Sequence, residues 1–121
     1  MILLDSSAWI EFLTDGPAAP RIAKEMSSPS QILTPTLVLY EVYKKLKRER
    51  GEEAALSAVA QLNQTRIVPL DDSLALGAAD ISLAFALPMA DSIIAATAKV
   101  HEAKILTLDN DFRKIPWAEV L

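Results

Sequence analysis

The sequence predicts an α/β fold in which a parallel sheet carries helices on both faces. Two observations lead there. Short apolar runs of strand length alternate along the whole chain with longer segments whose apolar residues recur at helical spacing. The run at Met1–Leu4 is also continuous rather than alternating, as in a strand buried on both faces. With 121 residues and no repeat, linker or low-complexity segment, one domain over 1–121 is expected.

Taken in order, Met1 to Leu4 reads as the first strand, with Asp5 at its carboxyl end. Ser6 or Ser7 can cap a helix with Trp9, Ile10, Phe12 and Leu13 on one side, ending near Asp15-Gly16-Pro17. Pro20 can open a short helix with Ile22 and Met26 inward, stopped by Ser27-Ser28-Pro29. Gln31 to Thr34 is the second strand. Thr34-Pro35-Thr36 starts a helix over Leu37 to Arg50, closed by Gly51 where a left-handed residue is usual. Glu52 to Gln64 is the next helix, with Ala55, Leu56, Val59 and Leu62 at core spacing. Arg66 to Leu70 is a strand interrupted by Pro69. Asp71, Asp72 and Ser73 cap a helix through Ala86, which Leu87-Pro88 ends. Met89 to Glu102 is an alanine-rich helix, Lys104 to Leu108 a strand, Asp109-Asn110-Asp111 a turn, and Trp117 to Leu121 a last edge strand. Parallel strands joined this way need right-handed crossovers.

Composition narrows the chemistry. The apolar fraction is 51% and mean hydropathy +0.23, yet no apolar run approaches the ~20 residues that span a bilayer. The opening Met1–Asp5 lacks a basic leader and its apolar run stops at an acid, so no secretory leader is expected. Zero cysteines exclude disulfides, thiolate zinc sites and thiol nucleophiles, and fit a cytoplasmic location. Net charge is −4 and the pI about 4.9, so no global field draws nucleic acid.

Four acids, Asp5, Glu41, Asp91 and Asp109, interrupt apolar stretches where strands end or helices begin. An unpaired carboxylate in such a place loses hydration. Each has an ordinary explanation taken singly. Asp5 can cap a helix, Glu41 can pair with Lys45 one turn on, Asp91 can serve a helix start, and Asp109 and Asp111 can form a turn. Together they are harder to dismiss. In open parallel sheets the ligand crevice lies beyond the carboxyl ends of the strands, which is where Asp5 and Asp109 fall. Carboxylates cannot ionise side by side without a counter-charge. Oxygen-only ligands suit magnesium or manganese, and such a metal can activate water and orient a phosphate. Lys44, Lys45, Lys47, Arg48 and Arg50 form a basic helix end that can track a phosphate backbone, or simply complement the helix dipole.

The stretch Leu87-Pro88-Met89-Ala90-Asp91-Ser92-Ile93-Ile94-Ala95-Ala96-Thr97-Ala98, with Ile105-Leu106-Thr107-Leu108-Asp109-Asn110-Asp111-Phe112, resembles the PIN-domain family. So do Leu4-Asp5-Ser6-Ser7 and Tyr40-Glu41-Val42. The likeness is greatest to the VapC-type toxin ribonucleases of VapBC toxin–antitoxin pairs. The resemblance implies a three-layer α/β/α sandwich with a central, mainly parallel sheet of four to five strands. It implies RNA cleavage dependent on Mg²⁺ or Mn²⁺, a homodimer and a cognate antitoxin. On matching positions, Asp5, Glu41, Asp91 and Asp109 would be the catalytic and metal-binding acids, with Asp111 as a further ligand. Thr107 and Ser6 would support the site, and Lys44, Lys45, Lys47 and Arg48 would contact RNA.

Two other readings compete. Alternating elements with acids at strand ends also describe phosphoacceptor receiver domains, where Asp71 after the third strand would carry the phosphate. A catalytically silent interaction domain is the other.

Overall fold

The apolar runs become strands, and every pairing between them is parallel. The strands are β1 (Ile2–Leu4), β2 (Ile32–Pro35), β3 (Arg66–Val68), β4 (Lys104–Thr107) and β5 (Ala118–Val120). They form one sheet in the order β3-β2-β1-β4-β5 in a computed structural model that describes residues 1–121. Ile2 is in register with Ile32 on one side and Lys104 on the other, and Leu4 with Leu106. Leu3, Leu4, Ile105 and Leu106 have no exposed surface, which is why these central strands show no polar alternation. β3 and β5 are the edges, and Pro69 follows β3 where no ladder bond is lost.

Six helices cover the sheet: α1 (Ser6–Leu13), α2 (Ala19–Ala23), α3 (Thr36–Arg50), α4 (Glu52–Leu62), α5 (Asp72–Phe85) and α6 (Met89–Val100). α3 packs on α4, and α5 on α6. Gly51 joins the first pair with φ +90°, a conformation that side-chain-bearing residues rarely adopt. The buried apolar residues form one continuous cluster, with Trp9 and Phe112 its largest members. No single helix is long and apolar enough to cross a membrane.

Several expected boundaries shift. α1 is capped by Asp5 rather than Ser6 or Ser7, since Asp5 Oδ1 accepts from the Ala8 amide at 3.0 Å. α2 stops after five residues and continues as a 3-10 turn over Lys24–Ser27. A second such turn takes up Gln31, so β2 begins at Ile32. On α4 the inward stripe is Ala55, Ala58 and Leu62, whereas Leu56 is 52% exposed and Val59 half-buried. Alanines there let α4 approach α3 closely. α4 ends at Leu62, whose carbonyl accepts from the Thr65 hydroxyl at 2.6 Å. β3 stops at Val68 and α6 at Val100. β5 is confined to Ala118–Val120, while Trp117 turns inward to donate from Nε1 to the Ala95 carbonyl at 3.0 Å.

The strand order locates the crevice. The chain builds outward from β1 to β2 and β3, then returns to add β4 and β5 on the other side. The reversal leaves an opening beyond the carboxyl ends of β1 and β4. This order also differs from the 2-1-3-4-5 order of receiver domains. Asp71 after edge strand β3 is exposed and accepts from the Leu74 amide at 2.8 Å as the cap of α5, away from the reversal.

Candidate metal centre

The site is built from the sheet outward. Asp5 is the first residue beyond β1 and is only 3% exposed. Its carboxylate is held from three sides. Oδ1 accepts from the Ala8 amide and from Ser7 Oγ at 2.7 Å, and Oδ2 accepts from Thr107 Oγ1 at the end of β4. Burial raises its pKa against these three hydrogen bonds, which favour the ionised form, and the charge of Asp109 raises it further.

Thr107 ties the two strand ends together. Its hydroxyl oxygen also accepts from the Asp109 amide at 2.9 Å. Asp109 in turn caps the following 3-10 turn, accepting from the Asp111 amide at 2.9 Å. Ser7 Oγ makes a parallel link by accepting from the Leu108 amide at 2.9 Å. Ser7 is the residue that sequence reasoning missed, having weighed it only as a helix cap. Its position two residues after Asp5 was the available signal, but the partner at Leu108 is far away in sequence.

Asp91 enters from α6, in whose first turn it stands. Free amides there favour a carboxylate, yet its pKa is raised to about 6. Burial is the main cause, followed by the charges of Asp109, Asp111, Asp5 and Glu41. Asp91, Asp109 and Asp111 can each offer an oxygen within 4.8 Å of the others. Glu41 completes the group from α3. Its Oε1 is buried without a hydrogen-bond partner. Burial raises its pKa, the Ser6 hydroxyl lowers it, and the charge of Asp5 adds to the rise.

Of the five acids foreseen in the sequence, Asp91, Asp109 and Asp111 come within 4.8 Å of one another, while Asp5 and Glu41 lie near enough for their charges to act on Asp91, with Thr107 at Asp5 and Ser6 at Glu41. The Glu41–Lys45 pair does not form, and none of the chain's five ion pairs includes any of these acids. Lys44, Lys45 and Arg48 line a recess of about 280 Å³ with Ser6, Tyr40 and Glu41, whereas Lys47 does not line it and stands beside Tyr43. An all-carboxylate donor set, an orphaned buried oxygen and acids that no ion pair neutralises fit a hard divalent ion.

The fold has counterparts among known structures. A chain of a toxin–antitoxin complex from Klebsiella pneumoniae has TM-score 0.84 and 22% identity, with 99% of this chain and 97% of that chain covered. VapC20 of Mycobacterium tuberculosis, a toxin cleaving the sarcin–ricin loop, has TM-score 0.79 and 21% identity, with coverage of 99% and 98%. A chain of the DNA-bound VapBC of Salmonella typhimurium has TM-score 0.79 and 18% identity, with coverage of 99% and 96%. At these identities the likeness is one of fold. No curated protein sequence matches the chain. The PIN domain, as a sequence family, matches residues 2–118, nearly the whole length, and the chain belongs to the PIN-domain family.

Proposed function

We propose that the chain is a divalent-metal-dependent endoribonuclease that hydrolyses RNA phosphodiester bonds, and the toxin of a type II toxin–antitoxin pair. One observation carries this reading. Carboxylates from four separate segments gather near the sheet reversal with no ion pair to any of them, and Asp91 senses the charge of the other four. Protein architecture alone does not explain that concentration of negative charge.

Asp5, Glu41, Asp91 and Asp109 would hold Mg²⁺ or Mn²⁺, with Asp111 as a further ligand. The ion, when bound, supplies Lewis acidity and counter-charge for phosphodiester hydrolysis. Asp5 is fixed in one orientation by Ser7, Ala8 and Thr107, so its share of the site is set before substrate arrives. One of the carboxylates would accept the proton released by the attacking water. The structural relatives include toxin–antitoxin complexes, which supports a partner antitoxin that inhibits by covering the acidic crevice. A homodimer working in the cytoplasm belongs to the same reading.

The test is RNA cleavage with and without Mg²⁺ or Mn²⁺, repeated for Asp5→Asn and Asp91→Asn. Loss of cleavage in EDTA and in both variants is expected. Full activity in EDTA, or in both variants, overturns the reading. A silent interaction domain would show neither cleavage nor a metal-dependent change in melting temperature.

A further inference from the structure

The outward face of α3 carries a second surface of defined chemistry. Val38, Val42 and Leu46 take its buried side. Positions 40, 43, 44, 47 and 48 follow the i, i+3, i+4, i+7, i+8 rule and share another face. That face displays Tyr40, 59% exposed, and the outer edge of half-buried Tyr43 among Lys44, Lys47 and Arg48. Lys44 Nζ lies 5.4 Å from the Tyr40 ring centre and donates to its hydroxyl at 3.3 Å. Lys47 Nζ repeats the arrangement over Tyr43, at 5.3 Å and 3.2 Å. The five side chains line a groove of about 560 Å³. It shares Tyr40, Lys44 and Arg48 with the recess that holds Ser6 and Glu41, so it opens toward the acidic centre.

Cations beside aromatic faces are the chemistry of a single-stranded nucleic-acid site, where phosphates meet the charges and bases stack on the rings. A duplex offers phosphates but keeps its bases stacked and their edges recessed. An acidic peptide would use the cations and leave both rings without a stacking partner. Charge supports the same occupant. The molecule carries −4 overall and its acidic centre repels a polyanion, whereas Lys44, Lys45, Lys47, Arg48 and Arg50 place positive charge on this one helix end. Lys47 and Arg48 make only long, exposed contacts with Glu52 at 3.6 Å and Glu49 at 3.8 Å, which a phosphate can displace. Resting on the ribonuclease reading, we infer that the outer face of α3 binds unpaired nucleotides flanking the scissile bond. Bases stack on Tyr40 and Tyr43, and phosphates meet Lys44, Lys47 and Arg48.

Fluorescence anisotropy with a short labelled RNA strand of mixed sequence tests this, using the full chain with Asp91→Asn so that the strand is not cut. The single strand should bind more tightly than its duplex. Tyr40→Ala should weaken single-strand binding about tenfold, Tyr40→Phe should restore it, and Lys44→Ala with Arg48→Ala should reduce its salt dependence. Equal binding of strand and duplex, or a Tyr40→Ala chain that binds like its parent, overturns the inference. Competition by polyglutamate as strong as by RNA also overturns it, and assigns the face to a protein partner. If the unsubstituted chain cleaves RNA while Tyr40→Ala binds and cleaves equally well, only the α3 track falls. If the unsubstituted chain neither cleaves nor binds RNA, the ribonuclease reading falls and takes the track with it.

Discussion

Asp91 shows how one side chain couples stability to chemistry. Its pKa is raised to about 6, so between about 4 and 6 the folded chain holds a proton that the unfolded chain has released. Stability from this group is therefore greatest at low pH and is lost as pH rises through 6. Asp5 and Glu41 are raised and act with the same sign. In EDTA, Asp91→Asn should melt above the parent by a margin that widens from pH 4 to pH 7, while cleavage is lost. Thermal melts across that range check it, and a margin independent of pH would contradict it. Thr107 has the opposite profile. Fully buried, it donates to Asp5 and accepts from the Asp109 amide, so Thr107→Val leaves both without that partner. A loss of about 1–3 kcal/mol in urea unfolding is expected, together with reduced cleavage.

Among the elements, α3 carries the most function on one helix. It presents a core stripe, a site acid and a basic aromatic face, then reverses into α4 at Gly51. A Cβ at Gly51 would meet nothing within 4 Å, so the cost of Gly51→Ala is purely backbone strain at φ +90°. About 1–3 kcal/mol should appear in denaturant unfolding with cleavage unchanged. The same elements show what was legible in the sequence. Strand and helix alternation, the capping acids and the turn at Asp109 are local patterns, and local patterns can be read. Leu56 and Ala58 could not be sorted by period alone, because the partner helix decided which face of α4 was inward. The Ser7–Leu108 and Thr107–Asp5 links join residues about a hundred positions apart, and no local rule anticipates them. The acids were visible one at a time. Only the strand order brings them to one opening.

At the scale of the molecule, the fold concentrates uncompensated negative charge at one end of a sheet, and a bound cation should relieve it. Adding Mg²⁺ or Mn²⁺ at pH 7 should raise the melting temperature, since a ligand that binds only the folded state stabilises it by about 2.7 kcal/mol at a hundredfold excess over Kd. At pH 5 the gain should shrink, because protons compete for the same oxygens. Calorimetry at the two pH values measures both. A gain that does not depend on pH would point to binding elsewhere.

Asp5 belongs at once to the acidic centre and to the first turn of α1, because the oxygen that takes the Ala8 amide sits on the same carboxylate that faces Asp109. The side chain cannot swing away without releasing that capping hydrogen bond, so the centre has a built-in reporter. A change in its charge, by proton or by cation, should alter the amide resonance of Ala8, which makes occupancy audible from inside the first turn of α1.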